Sequence, residues 1–241
     1  MIVKAIPTGW EVIYQRAHGL LAAQLAHHWK WDEAPLYWTH TLLAIAEHDD
    51  GLAEAQSPHN LTEAGAPKHF MQLGYTPEQY RNVMEIASSK SRWNALMTSM
   101  HLTFLYSNTK EDKELLKFLE EQLEYQRVLL KGLNIQKHQA ERMYYFVEWC
   151  DALSLLLCMD RVQPDQRKME ISQGPDGTFH QLWQGPTGEL RVEPWPFKEN
   201  KFVVDVEYRN LDQLQFESIK ALSEGLQKAP VQVRKWKFAK S

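Results

Sequence analysis

Asp151 stands in "VEWCDALSLLLC", where helical spacing puts it on one face with Val147, Leu155 and Cys158. A lone carboxylate on an apolar face is costly to bury unless a cation or several donors meet it. Three histidines raise the same question: His18 with Leu21 and Leu25, His48 with Ala44 and Ile45, and His101 between Met97 and Phe104 with Leu105. The stretch "AEHDDGL", residues 46–52, adds Asp49 and Asp50 just before Gly51, at the end of a run that reads as helix. Unpaired carbonyls give a helix C-terminus partial negative charge, which disfavours anions there by a few tenths to about 1 kcal/mol. Something positive is expected beside them.

The elements that must position these side chains follow from hydrophobic period. Residues 1–15 alternate around "PTG" and read as a hairpin; from Arg16 the period becomes helical and holds to about Trp31. Further helices are expected at 36–48, 77–90, 92–107, 111–131 and 137–159, with a long loop at 51–76 marked by Pro58, Gly65, Pro67 and Gly74. Beyond about residue 165, "GPDG" and "GPTG" separate short strands, Phe202, Val204, Val206 and Tyr208 alternate with Val203, Asp205 and Glu207, and a helix at 211–226 precedes a strand at 230–238. Hairpin and C-terminal strands are each too small to stand alone, so they are expected to pair. The expected class is mainly α (α+β), a helical bundle with a small antiparallel sheet in one domain, 1–241. Its helical core is 15–160, with 1–14 and 165–241 as accessory sheet and helix.

Composition narrows the partners. The 241 residues carry 27 Lys and Arg against 31 Asp and Glu, a net charge of -4, which gives no basic face for a nucleic-acid polymer. The one basic cluster, "VRKWKFAK" at 233–240, reads as a solvated edge strand. The longest apolar run, "LSLLLCM", is far short of the roughly 20 residues of a membrane helix, and no signal-peptide core is visible, so a cytoplasmic protein without a membrane partner is expected. Cys150 and Cys158 stand about 12 Å apart along one expected helix, too far for a disulfide, and read as buried thiols. Oligomeric state is left open.

The order His, His-Asp, distant Asp resembles that of the HD-domain metal-dependent phosphohydrolases, matched one by one at His18, His48, Asp49 and Asp151 over about residues 15–160. A bacterial branch of these proteins is also similar in "HDDG", "SPHNLTEAGAPKHF" and "SMHLTFL". The resemblance implies an HD-like helical core and a divalent ion held by those four residues, with positions left for water or a phosphate oxygen. His101 would join them if a second ion binds. Nitrogen and oxygen ligands suit manganese, iron, zinc, nickel or magnesium. The implied reaction is hydrolysis of a nucleotide or other phosphate ester by metal-activated water. Leu52 departs from the family at the position of its usual catalytic residue, leaving Asp50 as the nearest acid or base. Arg16 and Lys68 are candidates to meet phosphate, and His59 and His69 to line a pocket closed by the 51–76 loop. Two alternatives stand beside hydrolysis: a di-iron oxygenase, which needs His101, and a metal-stabilised binding or regulatory protein, which Leu52 keeps open.

Overall fold

Alternation in the first thirteen residues sends Ile2 and Ile13 into the main core and Val12 to the opposite face, into a smaller cluster with Met1 and Leu211, and β1 (Ile2–Ile6) pairs antiparallel with β2 (Gly9–Ile13), Val3 opposite Val12. The computed structural model describes every residue except 53, 56, 75, 110 and 111. Six helices follow: α1 (Gln15–His28), α2 (Trp38–Ala46), α3 (Pro77–Lys90), α4 (Arg92–Leu105), α5 (Lys113–Leu133) and α6 (Lys137–Cys158). Their starts are written locally. The Thr76 hydroxyl accepts from Gln79 N while the Gln79 side chain accepts from Thr76 N, with Pro77 in the first turn; Ser91 caps α4 and Asp112 caps α5. The start of the helix expected at 111 lies outside the described residues.

The C-terminal part supplies β3 (Met169–Gln173), β4 (Phe179–Gln184), β5 (Leu190–Glu193), β6 (Lys201–Leu211), α7 (Ile219–Lys228) and β7 (Val231–Ala239). All seven strands join one sheet in the order β1-β2-β6-β7-β5-β4-β3, curled into a half-barrel. Its pairs are antiparallel except β5 with β7, which run parallel at Leu190 and Phe238. Helix α1 lies on this sheet, Gln24 Nε2 donating to Asp205 O at 2.9 Å and Asp205 N donating to Gln24 Oε1 at 3.0 Å. One apolar core runs through both layers, from Leu21, Ile45, Leu96 and Trp149 on the helices to Leu182, Val204 and Phe238 on the strands.

This architecture corrects the expected fold class. The sheet is large, mixed and shares the main core, so the molecule is not a mainly helical bundle with a small antiparallel accessory sheet. Strand β7 is fourth of seven in the order rather than an edge, and buries Phe238. The helix expected at 211–226 begins only at Ile219, because β6 continues to Leu211. Helix α2 stops at Ala46, which leaves His48 beyond the helix. Both cysteines are buried free thiols. Among the described residues no helix is long and apolar enough to cross a membrane.

Candidate metal centre

Four elements deliver the chemistry-bearing side chains to one place. His18 comes from α1, His101 from α4 and Asp151 from α6, while His48 and Asp49 sit in the turn that follows α2. Helices α1 and α2 approach closely at Gly19, where a Cβ would stand 2.5 Å from the carbonyl oxygen of Ala46. Gly51, at φ +97°, lets the chain leave the turn in a conformation that side chains disfavour. We expect Gly19→Val to force the two helices apart, costing about 1–3 kcal/mol. For a chain of this size that is a fall in Tm of roughly 2–12 °C, readable by thermal denaturation. An unchanged Tm would show that the contact yields without cost.

The hydrogen bonds fix which ring nitrogens carry protons. His48 Nδ1 lies 2.7 Å from Ile45 O, a carbonyl that only accepts, so Nδ1 donates and Nε2 keeps its lone pair in the neutral ring. Ser154 Oγ donates to Asp151 O at 2.9 Å and therefore accepts from His18 Nδ1 at 2.9 Å, which leaves the lone pair of His18 on Nε2. These lone pairs face carboxylates. His18 Nε2 is 2.8 Å from Asp49 Oδ2, and His48 Nε2 is 3.2 Å from Asp151 Oδ1 and 3.6 Å from Asp49 Oδ2. His48 Nε2 and Asp151 Oδ1 are buried without a well-aligned hydrogen-bond partner. Asp151 Oδ2 lies 4.0 Å from His101 Nε2, and His101 Nδ1 is 3.3 Å from the Tyr144 hydroxyl.

Lone pair against carboxylate is repulsive unless a cation lies between them, and a proton or a metal ion serves. Burial disfavours the charged form of His48, but the Asp49 and Asp151 carboxylates outweigh it and push its pKa up to about 10. Burial likewise acts to raise Asp49 and Asp151, yet His48 and the other facing histidines hold both below the ordinary carboxylate value. His101 is lowered, chiefly by burial. For His48, raised above its ordinary 6.5, the stabilising contribution is full below pH 6.5 and is lost as pH rises through about 10. For the two depressed aspartates it is present above 3.8 and lost as pH falls. Neutral His101 costs stability below 6.5. In chelator, Tm is therefore expected to peak near ~pH 6 and decline toward pH 10. A Tm still rising at pH 9 would contradict this charge arrangement.

The donor set also fits a metal. Two ligand atoms at about 2.1 Å from one ion stand roughly 3.0–3.4 Å apart at octahedral or tetrahedral angles, close to the separations above. Two overlapping groups, His18 with His48 and Asp151, and His48 with Asp49 and His101, each bring their donor atoms within 4.8 Å of one another. Three further side chains escaped the sequence reading. Gln15 Nε2 donates to Asp49 Oδ2 at 3.0 Å, Ser154 orients His18, and Tyr144 meets His101. Their signal was spacing: Gln15 is one turn before His18, and Tyr144, Asp151 and Ser154 recur along one stripe of α6.

The remaining candidates lie elsewhere. Asp50 is held by Lys90 and by Arg16 Nε at 3.5 Å, outside the grouped donors. Lys90 also meets Glu47 at 2.9 Å, so this network is the positive partner that "AEHDDGL" asked for at Asp50. His59 is exposed in the short turn Pro58–Asn60. Lys68 N donates to Asn60 O, and His69 Nδ1 accepts from Met71 N at 3.2 Å. The 51–76 loop, apart from residues 53, 56 and 75, docks through Phe70 N to Met1 O and through Phe216 N to Gly65 O. It comes near the cluster at a cavity of about 20 Å³ among Gln15, Leu52, Phe70 and Gln79, room for a single water.

Comparison with known proteins bears on the family. No curated protein matches the chain, and no solved structure matches it. The resemblance to HD-domain phosphohydrolases is overturned, because the family model that matches is a different one and the half-barrel sheet is foreign to an HD helical bundle. With it go the HD-like character of the helical part and the mainly helical description. The chain belongs to the family described as "Protein of unknown function (DUF3891)", whose model matches residues 1–213.

Proposed function

We propose that His18, His48, Asp49 and Asp151 hold a divalent metal ion and that the centre hydrolyses a phosphorylated small molecule, such as a nucleotide. The observation that carries the metal site is the buried convergence of donors, His48 Nε2 at 3.2 Å from Asp151 Oδ1 and His18 Nε2 at 2.8 Å from Asp49 Oδ2, each ring presenting its lone pair to a carboxylate when neutral. Two carboxylates balance the charge of a divalent ion, and mixed nitrogen and oxygen donors suit manganese, iron, zinc, nickel or magnesium. When bound, such an ion lowers the pKa of its water and polarises a phosphoryl oxygen. The chain's own groups orient the ligands: Gln15 holds Asp49, Ser154 sets the His18 tautomer, and the Ile45 carbonyl sets that of His48. His101, with Nε2 4.0 Å from the second oxygen of Asp151, would serve as a fifth ligand or help hold a second ion.

Burial favours a second reading. His18, His48 and His101 are 0–4% exposed and none of the larger cavities includes them, which suits an ion that stabilises a binding or regulatory protein without turnover. Anomalous scattering from crystals soaked with each metal locates the ion and counts it. Scattering at the four ligands supports both readings, and its absence at every edge removes both. Phosphate release separates them.

A further inference from the structure

We infer that the cavity between the start of α1, the end of β6 and α7 binds a small organic anion, its oxyanion held by Arg209 and Arg16. The cavity has a volume of about 450 Å³, within the range of small-molecule sites. Arg209 lies with its guanidinium 5.3 Å over the ring of Tyr14, its Nε buried and without a hydrogen-bond partner. Among the described residues no carboxylate stands within ion-pair distance of it, although Glu54 and Glu207 line the same cavity. Glu54 is otherwise engaged: its two oxygens accept from Gln15 N at 3.2 Å and Arg16 N at 3.3 Å, closing the first turn of α1. Among the described residues Arg16 makes a single ion pair, Nε with Asp50 at 3.5 Å, and Asp50 already has Lys90.

Two guanidinium groups thus keep donors to spare at one cavity, and a buried Nε without a counter-charge is an unfavourable state that an anion relieves. Stacking on an aromatic ring leaves the guanidinium edge free for bidentate contact with a phosphate or carboxylate. Beside these charged groups and the polar Ser223 and Gln227, the wall carries an apolar stretch of Leu52, Ala17 and Leu20, a leucine left 60% exposed. The ligand is therefore an oxyanion on an apolar body. Arg16 and His18 stand two residues apart on α1 and so face different ways, and the cavity connects to the His/Asp cluster through Gln15, whose N donates to Glu54 and whose Nε2 donates to Asp49. That link rests on the hydrolytic reading above, whereas binding itself does not.

The test is calorimetric titration of the full chain in EDTA with phenyl phosphate, benzoate and inorganic phosphate. Phenyl phosphate is expected to saturate one site and to bind more tightly than inorganic phosphate. Arg209→Gln should weaken it about tenfold or more. Because Arg209 also packs on Tyr14, Gln227→Trp provides the second variant: it fills the cavity from an exposed position and should abolish binding with the fold intact. Failure of both phenyl phosphate and benzoate to bind at millimolar concentration overturns the inference, as does equal affinity in both variants. Binding of benzoate alone supports the anion site and breaks its link to phosphate esters. Loss of the metal reading would appear separately, as wild-type protein without bound metal that still binds phenyl phosphate.

Discussion

Protein loaded with a divalent ion and freed of excess metal is expected to retain it stoichiometrically, and Asp151→Ala to retain none. Asp151 presents one oxygen to His48 and the other toward His101, so its removal takes away the acceptor that brings α6 to the cluster. Elemental analysis reads the metal, and thermal denaturation reads its coupling to folding. At about 1,000 times the dissociation constant an ion bound only by the folded chain adds about 4 kcal/mol, or roughly 8–16 °C in Tm for a chain of this length. That increment should vanish in Asp151→Ala. The conservative Asp151→Asn separates charge from shape: it keeps the volume, loses the anion, and should lose the ion as well. Metal content equal to wild type in both variants would end the proposal that these residues are ligands.

The second large effect concerns turnover. Metal-loaded wild type is expected to release phosphate from simple phosphate esters or nucleoside monophosphates, and Asp49→Ala to fall to the metal-free background. Asp49 Oδ2 lies close to both His18 and His48, so its loss removes a ligand and half of the neutralising charge. Asp50→Asn gives the contrast. A general acid or base would cost about 10²–10⁴-fold on removal. Asp50 instead faces Lys90 and Arg16, so the expected change is less than about tenfold, with metal retained. A loss of 10²-fold or more with metal intact would return Asp50 to the mechanism. Fully loaded wild type that releases no phosphate with manganese, iron, zinc, nickel or magnesium would decide for the metal-stabilised, non-catalytic reading.

Single residues show which parts of this protein are legible without a structure. His18, His101 and Asp151 stood out because an ionisable group among apolar helical neighbours is costly, and that cost is visible in a window of one or two turns. The same windows exposed the helix starts at 77 and 92 and the alternation of Phe202, Val204 and Val206. Family membership was not legible this way. A His, His-Asp, Asp order on helices specifies a set of donors, and donor sets of one kind occur on unrelated folds. Asp50 shows the same limit on a smaller scale: its neighbour in sequence is Asp49, yet its partner is Lys90, brought from the far end of α3.

By itself the sequence determined most local elements and marked His18, His48, His101 and Asp151 as ionisable groups on apolar surfaces, which are buried in the structure. The tertiary structure alone decided that β7 lies inside the sheet, that β5 joins it in parallel, and that seven strands curl beneath α1. It also decided that His48, past the end of α2, still reaches Asp151. The physical reason is range. Helix spacing, caps and turns are set by residues a few positions apart, whereas strand order and the meeting of four elements depend on which apolar faces bury one another across the whole chain.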